Sequence, residues 1–190
     1  DLRFRAVSIF RVERNDVDLT TDFFAIKLNS NLAVLAYPLY YAKSGDQLGR
    51  GPIPPRVGEE TKYWVFVKLI NDINPVSEVS VSAELPFNVS CNDRSSVPVG
   101  NAIVYDAGTK KIMWQISEVP VKPTNIGFAF EVGIIPTAGQ AGTYPLHLQN
   151  IRITGKDKVT GKEIVKDLGG VTTKLINDAR GKLRDGAVGK

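Results

Sequence analysis

Among 190 residues the chain has one cysteine, one histidine and one methionine. The single cysteine, Cys91, excludes an intrachain disulfide, and with it the disulfide-stapled secreted scaffolds. The single histidine, His147, leaves no histidine–cysteine cluster with metal-ligand spacing and only one base for a nucleophilic triad, while no serine sits in a nucleophile-elbow context. There is no Gly-x-Ser-x-Gly and no phosphate-cradling Gly-rich loop. No apolar run approaches the ~20 residues of a membrane-spanning helix. Helical periodicity is almost missing too. The chain starts at Asp1 with neither methionine nor signal peptide, which reads as a mature or excised part of a longer polypeptide.

What is present is ordinary for a globular chain: 43% hydrophobic residues and a net charge of +4, too apolar for a disordered chain. Positive charges are dispersed, with small groups at Arg3, Arg5, Arg11 and Arg14 and near the C-terminal end. A nucleic-acid binder concentrates them in a stripe with interleaved aromatics, so solvated strand faces are the expectation.

The clearest local signal runs from Gly49 to Asn71. A turn rich in proline and glycine (Pro52, Pro54, Pro55, Gly58) leads into strict period-two alternation. Tyr63, Val65, Val67 and Leu69 fall on one face; Trp64, Phe66, Lys68 and Ile70 fall on the other. Short strands separated by turns continue along the chain, seven to nine in the main block, as a β-sandwich requires. The first block, residues 1–46, carries Leu2–Val12, alternating with Phe4, Ala6, Ser8 and Phe10 on one face. A polar loop is expected over Glu13–Asp22, then strands at Phe23–Leu28 and Asn31–Tyr41, with Pro38 at an edge or bulge. The main block, 47–174, holds the sandwich, including a hairpin turning through Asp106–Lys110. Residues 175–190 are polar and unpatterned and are expected as a tail or linker. Tyr63, Val65, Val67, Leu69, Val79, Val81, Ile112, Trp114, Ile116, Phe128, Phe130 and Val132 are the expected core.

The order of motifs in 47–174 carries a resemblance. It runs GPIPPRVGEETKY from Gly51, V-x-V-x-L-x-N from Val65, VSVSAELP from Val79 and YDAGTKKIMWQI from Tyr105. It continues with F-x-F-E-V-x-I-x-P from Phe128, KVTGKEI from Lys158 and VTT from Val171. This succession resembles the conserved Ig-like repeat domain of bacterial and archaeal cell-surface proteins. The resemblance implies an all-β, Ig-like sandwich preceded by a short block of strands, with residues 1–46 closing a preceding module and serving as connector. It implies a place on the bacterial cell surface, outside the cell, and a structural or adhesive role in a stalk, surface layer, filament or adhesin. That family has no catalytic residues to carry over, and no cofactor is expected.

The candidate contact residues are Trp64, Phe66 and Ile70. If Tyr63, Val65 and Val67 face the core, these large apolar side chains need another cover, either a protein partner or the first block folding over them. Exposed aromatics also suit sugar stacking, so a carbohydrate-binding or accessory module of a larger surface enzyme is the alternative. Asp16, Asp18 and Asp22 are candidate cation ligands, but the loop lacks the glycine and terminal glutamate of a hand-type calcium loop, and a solvated turn is the reading. Lys68 is weighed as an isopeptide donor, which requires burial beside an Asn or Asp and an acid. Asn88-Val89-Ser90 matches the glycosylation acceptor pattern by chance. Cys91 is expected in a loop as an idle thiol, and His147 at the rim of a strand. The expected partners are other protein subunits or adjacent modules of the same polypeptide, with a surface glycan as the alternative; neither nucleic acid nor a membrane span is expected.

Overall fold

A computed structural model of the chain describes residues 2–121 and 126–189. Its strands, in chain order, are β1 (Leu2–Phe4), β2 (Val7–Val12), β3 (Asn15–Thr20), β4 (Phe24–Ile26), β5 (Ala33–Leu39), β6 (Thr61–Ile70) and β7 (Val76–Glu84). They continue with β8 (Val89–Ser96), β9 (Val104–Asp106), β10 (Lys111–Val119), β11 (Ile126–Ile134), β12 (Leu146–Asp157), β13 (Glu163–Leu168) and β14 (Val171–Thr172). Among the described residues helix is confined to two 3-10 turns, at Ala138–Gln140 and Gly181–Arg184. The chain is all-β: an Ig-like sandwich preceded by a short block of strands.

One sheet has the order β5-β6-β11-β8. The other has β13-β12-β7-β10-β9, with β14 beside β12. The pairings are antiparallel, and the two sheets close on one core as aligned sandwiches do. Period-two alternation decides which side chains enter it. Tyr63, Val65, Val67 and Leu69 are buried while Lys68 and Ile70 are exposed. Val79 and Val81 meet Trp114 and Ile116 across β7 and β10, and Phe128, Phe130 and Val132 enter from β11. Of the expected core residues only Ile116 is half-buried rather than buried.

Chain entry and exit lie at opposite poles. Ile70, Ile126, Val76 and Asp157 end their strands at the pole where residues 28–31 join the sandwich. At the other pole, where β6 begins, Gly189 bridges to Arg56 and its N–H donates to the Pro55 carbonyl.

Three expectations are corrected. The first block does not stop at the sandwich: β5 belongs to it, pairing with β6 from Ala33↔Ile70 to Leu39↔Trp64. Pro38 is tolerated there because β5 is an edge strand. The polar stretch Glu13–Asp22 is a two-residue turn at Glu13–Arg14 followed by β3. Charged residues alternating with Val17 and Leu19 hid a strand whose outer side stays in water. Residues 175–190 are not a free tail. Leu175 and Val188 are buried, and the Asp178 carboxylate accepts the backbone N–H groups of Tyr40, Tyr41, Arg180 and Gly181.

Candidate docking surfaces

The outer face of the four-stranded sheet is built by β5 and β6. Register places Leu35 opposite Lys68, Tyr37 opposite Phe66 and Ala33 opposite Ile70. Residues directly opposite in an antiparallel pair share a face, so this side carries Leu35, Tyr37, Trp64, Phe66 and Ile70. Leu35 and Ile70 are about half exposed, at 51% and 49%. The Tyr37 and Phe66 rings stack, with centroids 5.8 Å apart and planes 12° from parallel. Beside them an apolar cleft of about 160 Å³ runs between Phe66, Pro98, Ile126, Phe128 and Ala129.

Trp64 is treated differently from Phe66. The Arg94 guanidinium carbon sits 6.0 Å from its ring centroid, a cation–π cap. Arg94 also donates to Glu131 Oε2 at 3.2 Å, while Asn92 donates to Glu131 Oε1 at 3.0 Å. Glu131 is buried in the middle of β11, so its charge needs these donors. One acid within the run FAFEVGI was the sequence signal for this cluster; its partners on β8 were not legible because β8 and β11 pair across a long stretch of sequence.

Of the expected contact residues, Trp64, Phe66 and Ile70 share one outward face. The partner that sequence reasoning missed is Tyr37, contributed by the first block, which packs beside Phe66 without covering it. Asp16 and Asp18 stand on β3, where Asp16 pairs with Arg11 at 2.9 Å, and Asp22 follows the strand. Among the described residues no three Asp, Glu, His or Cys side chains gather as a cation site. Lys68 is exposed, so the buried environment an isopeptide requires is missing at that residue.

Cys91 is on strand β8, not in a loop, and half-buried. Burial, then Asp93, pushes its thiol above the ordinary value, the opposite of what a thiolate nucleophile needs. His147 is not at a rim. It lies at the start of β12, between the Leu146–Thr172 and Leu148–Val171 pairs with β14, and is completely buried. Its ring packs 4.5 Å from that of Tyr63. Neither ring nitrogen has a hydrogen-bond partner, and burial pushes its pKa down to about 3. It is a neutral core group.

A second apolar surface lies on the N-terminal strands. β1 pairs with β4 and β2 with β3 to form a two-stranded ribbon. Leu2, Phe4, Val7, Ile9, Phe10, Val17, Leu19, Phe23, Phe24 and Ile26 are all exposed on it.

Comparison with known proteins finds no matching protein-family model and no matching curated protein. Solved structures with a loosely similar fold include the major pilin subunit BcpA of Bacillus cereus, at 14% identity and a TM-score of 0.44, over 88% of this chain and 48% of that one. The full-length major pilin SpaD of Corynebacterium diphtheriae is 10% identical with a TM-score of 0.40, over 74% of this chain and 34% of that one. A GH20 exo-β-N-acetylglucosaminidase of Vibrio harveyi is 11% identical with a TM-score of 0.37, over 74% of this chain and 18% of that one. The chain thus spans half or less of each of these structures. Unrelated functions share β-sandwich folds.

Proposed function

We propose that the chain is a non-catalytic structural module of a bacterial surface assembly, docking to neighbouring protein through the outer face of its four-stranded sheet. One observation carries this reading: the sandwich core is already filled, yet Leu35, Tyr37, Phe66 and Ile70 stand together on the outward side. Apolar side chains clustered on an outer face are the signature of a contact patch, and aromatics dominate the energetics of such patches. The surface location rests on the motif succession in residues 47–174.

The test is light scattering over a concentration series with the Phe66→Ser/Ile70→Ser double variant. Association beyond a dimer that the double variant removes, without a change in Tm, supports the docking face. Association unchanged by the pair overturns it.

The stacked Tyr37–Phe66 pair on the outward face also favours a second reading, in which a sugar ring stacks against it. Glycan-array binding that disappears in Phe66→Ala would select it; the Arg94 cap makes Trp64 the poorer stacking surface.

A further inference from the structure

The N-terminal ribbon has one face that no described residue of its own chain covers. Leu2 stands opposite Ile26 and Phe4 opposite Phe24 at its base; Ser8 stands opposite Leu19 and Phe10 opposite Val17 toward its tip. Position numbers in the base pairs sum to one more than those in the tip pairs, so the returning strand carries one extra residue between them. The Thr21 N–H donates to the Ala6 carbonyl at 3.0 Å, which leaves Asp22 and Phe23 opposite Arg5 alone. This is a β-bulge. Without it, a one-residue slip would turn Phe24 and Ile26 to the opposite side from Val17 and Leu19. With it, Leu2, Phe4, Phe10, Val17, Leu19, Phe24 and Ile26 line a single face. The reverse face carries Arg3, the Arg11–Asp16 pair, Asp18 and Thr20 together with Val7 and Ile9, and Arg5 stacks over the Phe23 ring at 5.5 Å.

We propose that this face packs against the same face of a second copy, forming a two-fold dimer through a four-stranded miniature sandwich. The seven side chains are 42–63% exposed. At about half of the roughly 150–200 Å² that a large apolar side chain presents when free, they put ~600 Å² on one side of the ribbon. That is the top of the patch size a lone soluble protein leaves uncovered. Doubled, it is ~1,200 Å², the area at which specific interfaces become stable. A two-fold contact asks only that one patch be complementary to itself, and a flat row of alternating apolar side chains meets that condition by sheet-on-sheet packing. A two-stranded hairpin alone is marginal in water and needs a further layer. The reverse face has two large aliphatic side chains, Val7 and Ile9, among Arg3, Arg11, Asp16 and Asp18, and those charges fix which side turns inward. The ribbon's root is clasped to its own sandwich at Leu28 and Ser30 by Asn74 and Asp157. The contact uses none of the residues of the outer sheet face, and either can fail without the other.

Sedimentation equilibrium on the full 190-residue chain tests it. The expected result is a monomer–dimer equilibrium that Phe4→Ser/Phe24→Ser weakens at least tenfold, while Arg3→Glu on the reverse face leaves it unchanged. A mixture of isotope-labelled and unlabelled chains should show intermolecular contacts among Phe4, Phe10 and Phe24, a readout that needs no variant to fold. A chain monomeric at every concentration overturns the proposal and leaves the ribbon as the closing strands of an adjoining module. A dimer that survives Phe4→Ser/Phe24→Ser, or labelled contacts confined to Phe66 and Ile70, also overturns it.

Discussion

The Asp157 carboxylate accepts the backbone N–H of Ser30 at 2.7 Å, so the last residue of β12 fixes the point at which the N-terminal ribbon leaves the sandwich. The same carboxylate takes hydrogen bonds from Asn74 Nδ2 at 3.0 Å and from the backbone N–H groups of Val159 and Thr160 at 2.8 and 2.9 Å. Asn74 in turn holds the Leu28 carbonyl, and the Ser30 hydroxyl donates to the Asn74 carbonyl. One buried acid therefore shapes its own turn and anchors a segment distant in sequence.

Removing that acid should loosen the joint and the fold together. Asp157→Ala leaves four donors without their acceptor, a loss of about 2–4 kcal/mol at ~1 kcal/mol per bond, or roughly 5–15 °C in Tm for a domain of this size. Hydrogen exchange should show Ser30 losing protection first. Burial alone would raise the Asp157 pKa, but the hydrogen bonds from Asn74, Thr160, Ser30 and Val159 outweigh it and hold the carboxyl far below the usual carboxylate range. A depressed native pKa adds stability above the unfolded value near 4, and that stability is lost as pH falls through the native value. Melting curves of the wild type below about pH 4 should therefore carry a slope that Asp157→Ala lacks.

His147 gives an acid dependence in a different window. Its native pKa of about 3 lies below the ordinary 6.5, so between those values the unfolded chain binds a proton that the native chain refuses. Stability is complete above about pH 6.5 and falls as pH drops toward 3, at no more than about 1.4 kcal/mol per unit. His147→Phe, which keeps an aromatic ring against Tyr63, should flatten that part of the curve. An unchanged slope would mean that the imidazole reaches water or a partner.

These features differ in how legible they were in the sequence. The sandwich was readable because Tyr63, Val65, Val67 and Leu69 alternate with polar or surface residues at the period of a half-buried strand. His147 was not, since whether a strand is central or at an edge depends on pairing between distant segments. Phe66 and Ile70 could be placed on the outer face from alternation alone, but their neighbours Leu35 and Tyr37 follow from register with β5. The ribbon's single apolar face was hidden for a further reason. Phe4 and Phe10 share a parity with each other, but Val17 and Phe24 do not, and only the bulge opposite Arg5 reconciles them.

Arg94 joins two surfaces and its removal should be visible in both. Arg94→Ala uncovers the Trp64 ring and leaves buried Glu131 with Asn92 as its remaining side-chain donor. The guanidinium is itself more than half exposed, so the expected cost is small, about 1 kcal/mol. Tryptophan emission should shift to the red through Trp64 alone, because Trp114 is buried against Phe128 at a ring-centroid distance of 5.0 Å. An emission spectrum identical to that of the wild type would show that Arg94 does not shield Trp64 in solution.

The C-terminal segment offers a sharper case, because composition alone marks it as expendable. Asp178 Oδ2 accepts Tyr40 and Tyr41 N–H at 2.8 and 2.7 Å, while Oδ1 accepts Arg180 and Gly181 N–H at 3.1 and 2.6 Å. The Arg180 guanidinium carbon lies 4.3 Å from the Tyr41 ring centroid, and Val188 exchanges hydrogen bonds with Thr143 and Gly142. Beyond Leu39 the chain leaves β5, so the N–H groups of Tyr40 and Tyr41 depend on this carboxylate. A chain ending at residue 176 removes the acceptor and uncovers Leu175 together, and each orphaned buried N–H costs about 1–3 kcal/mol. Such a truncation should melt at least ~5 °C lower, and Asp178→Ala in the full chain should reproduce most of the loss. Asp178→Asn, which keeps one carbonyl oxygen, should fall between the wild type and Asp178→Ala. If truncation leaves Tm unchanged, the segment is an appendage after all, and the order at Tyr40 and Tyr41 must come from elsewhere in the sandwich.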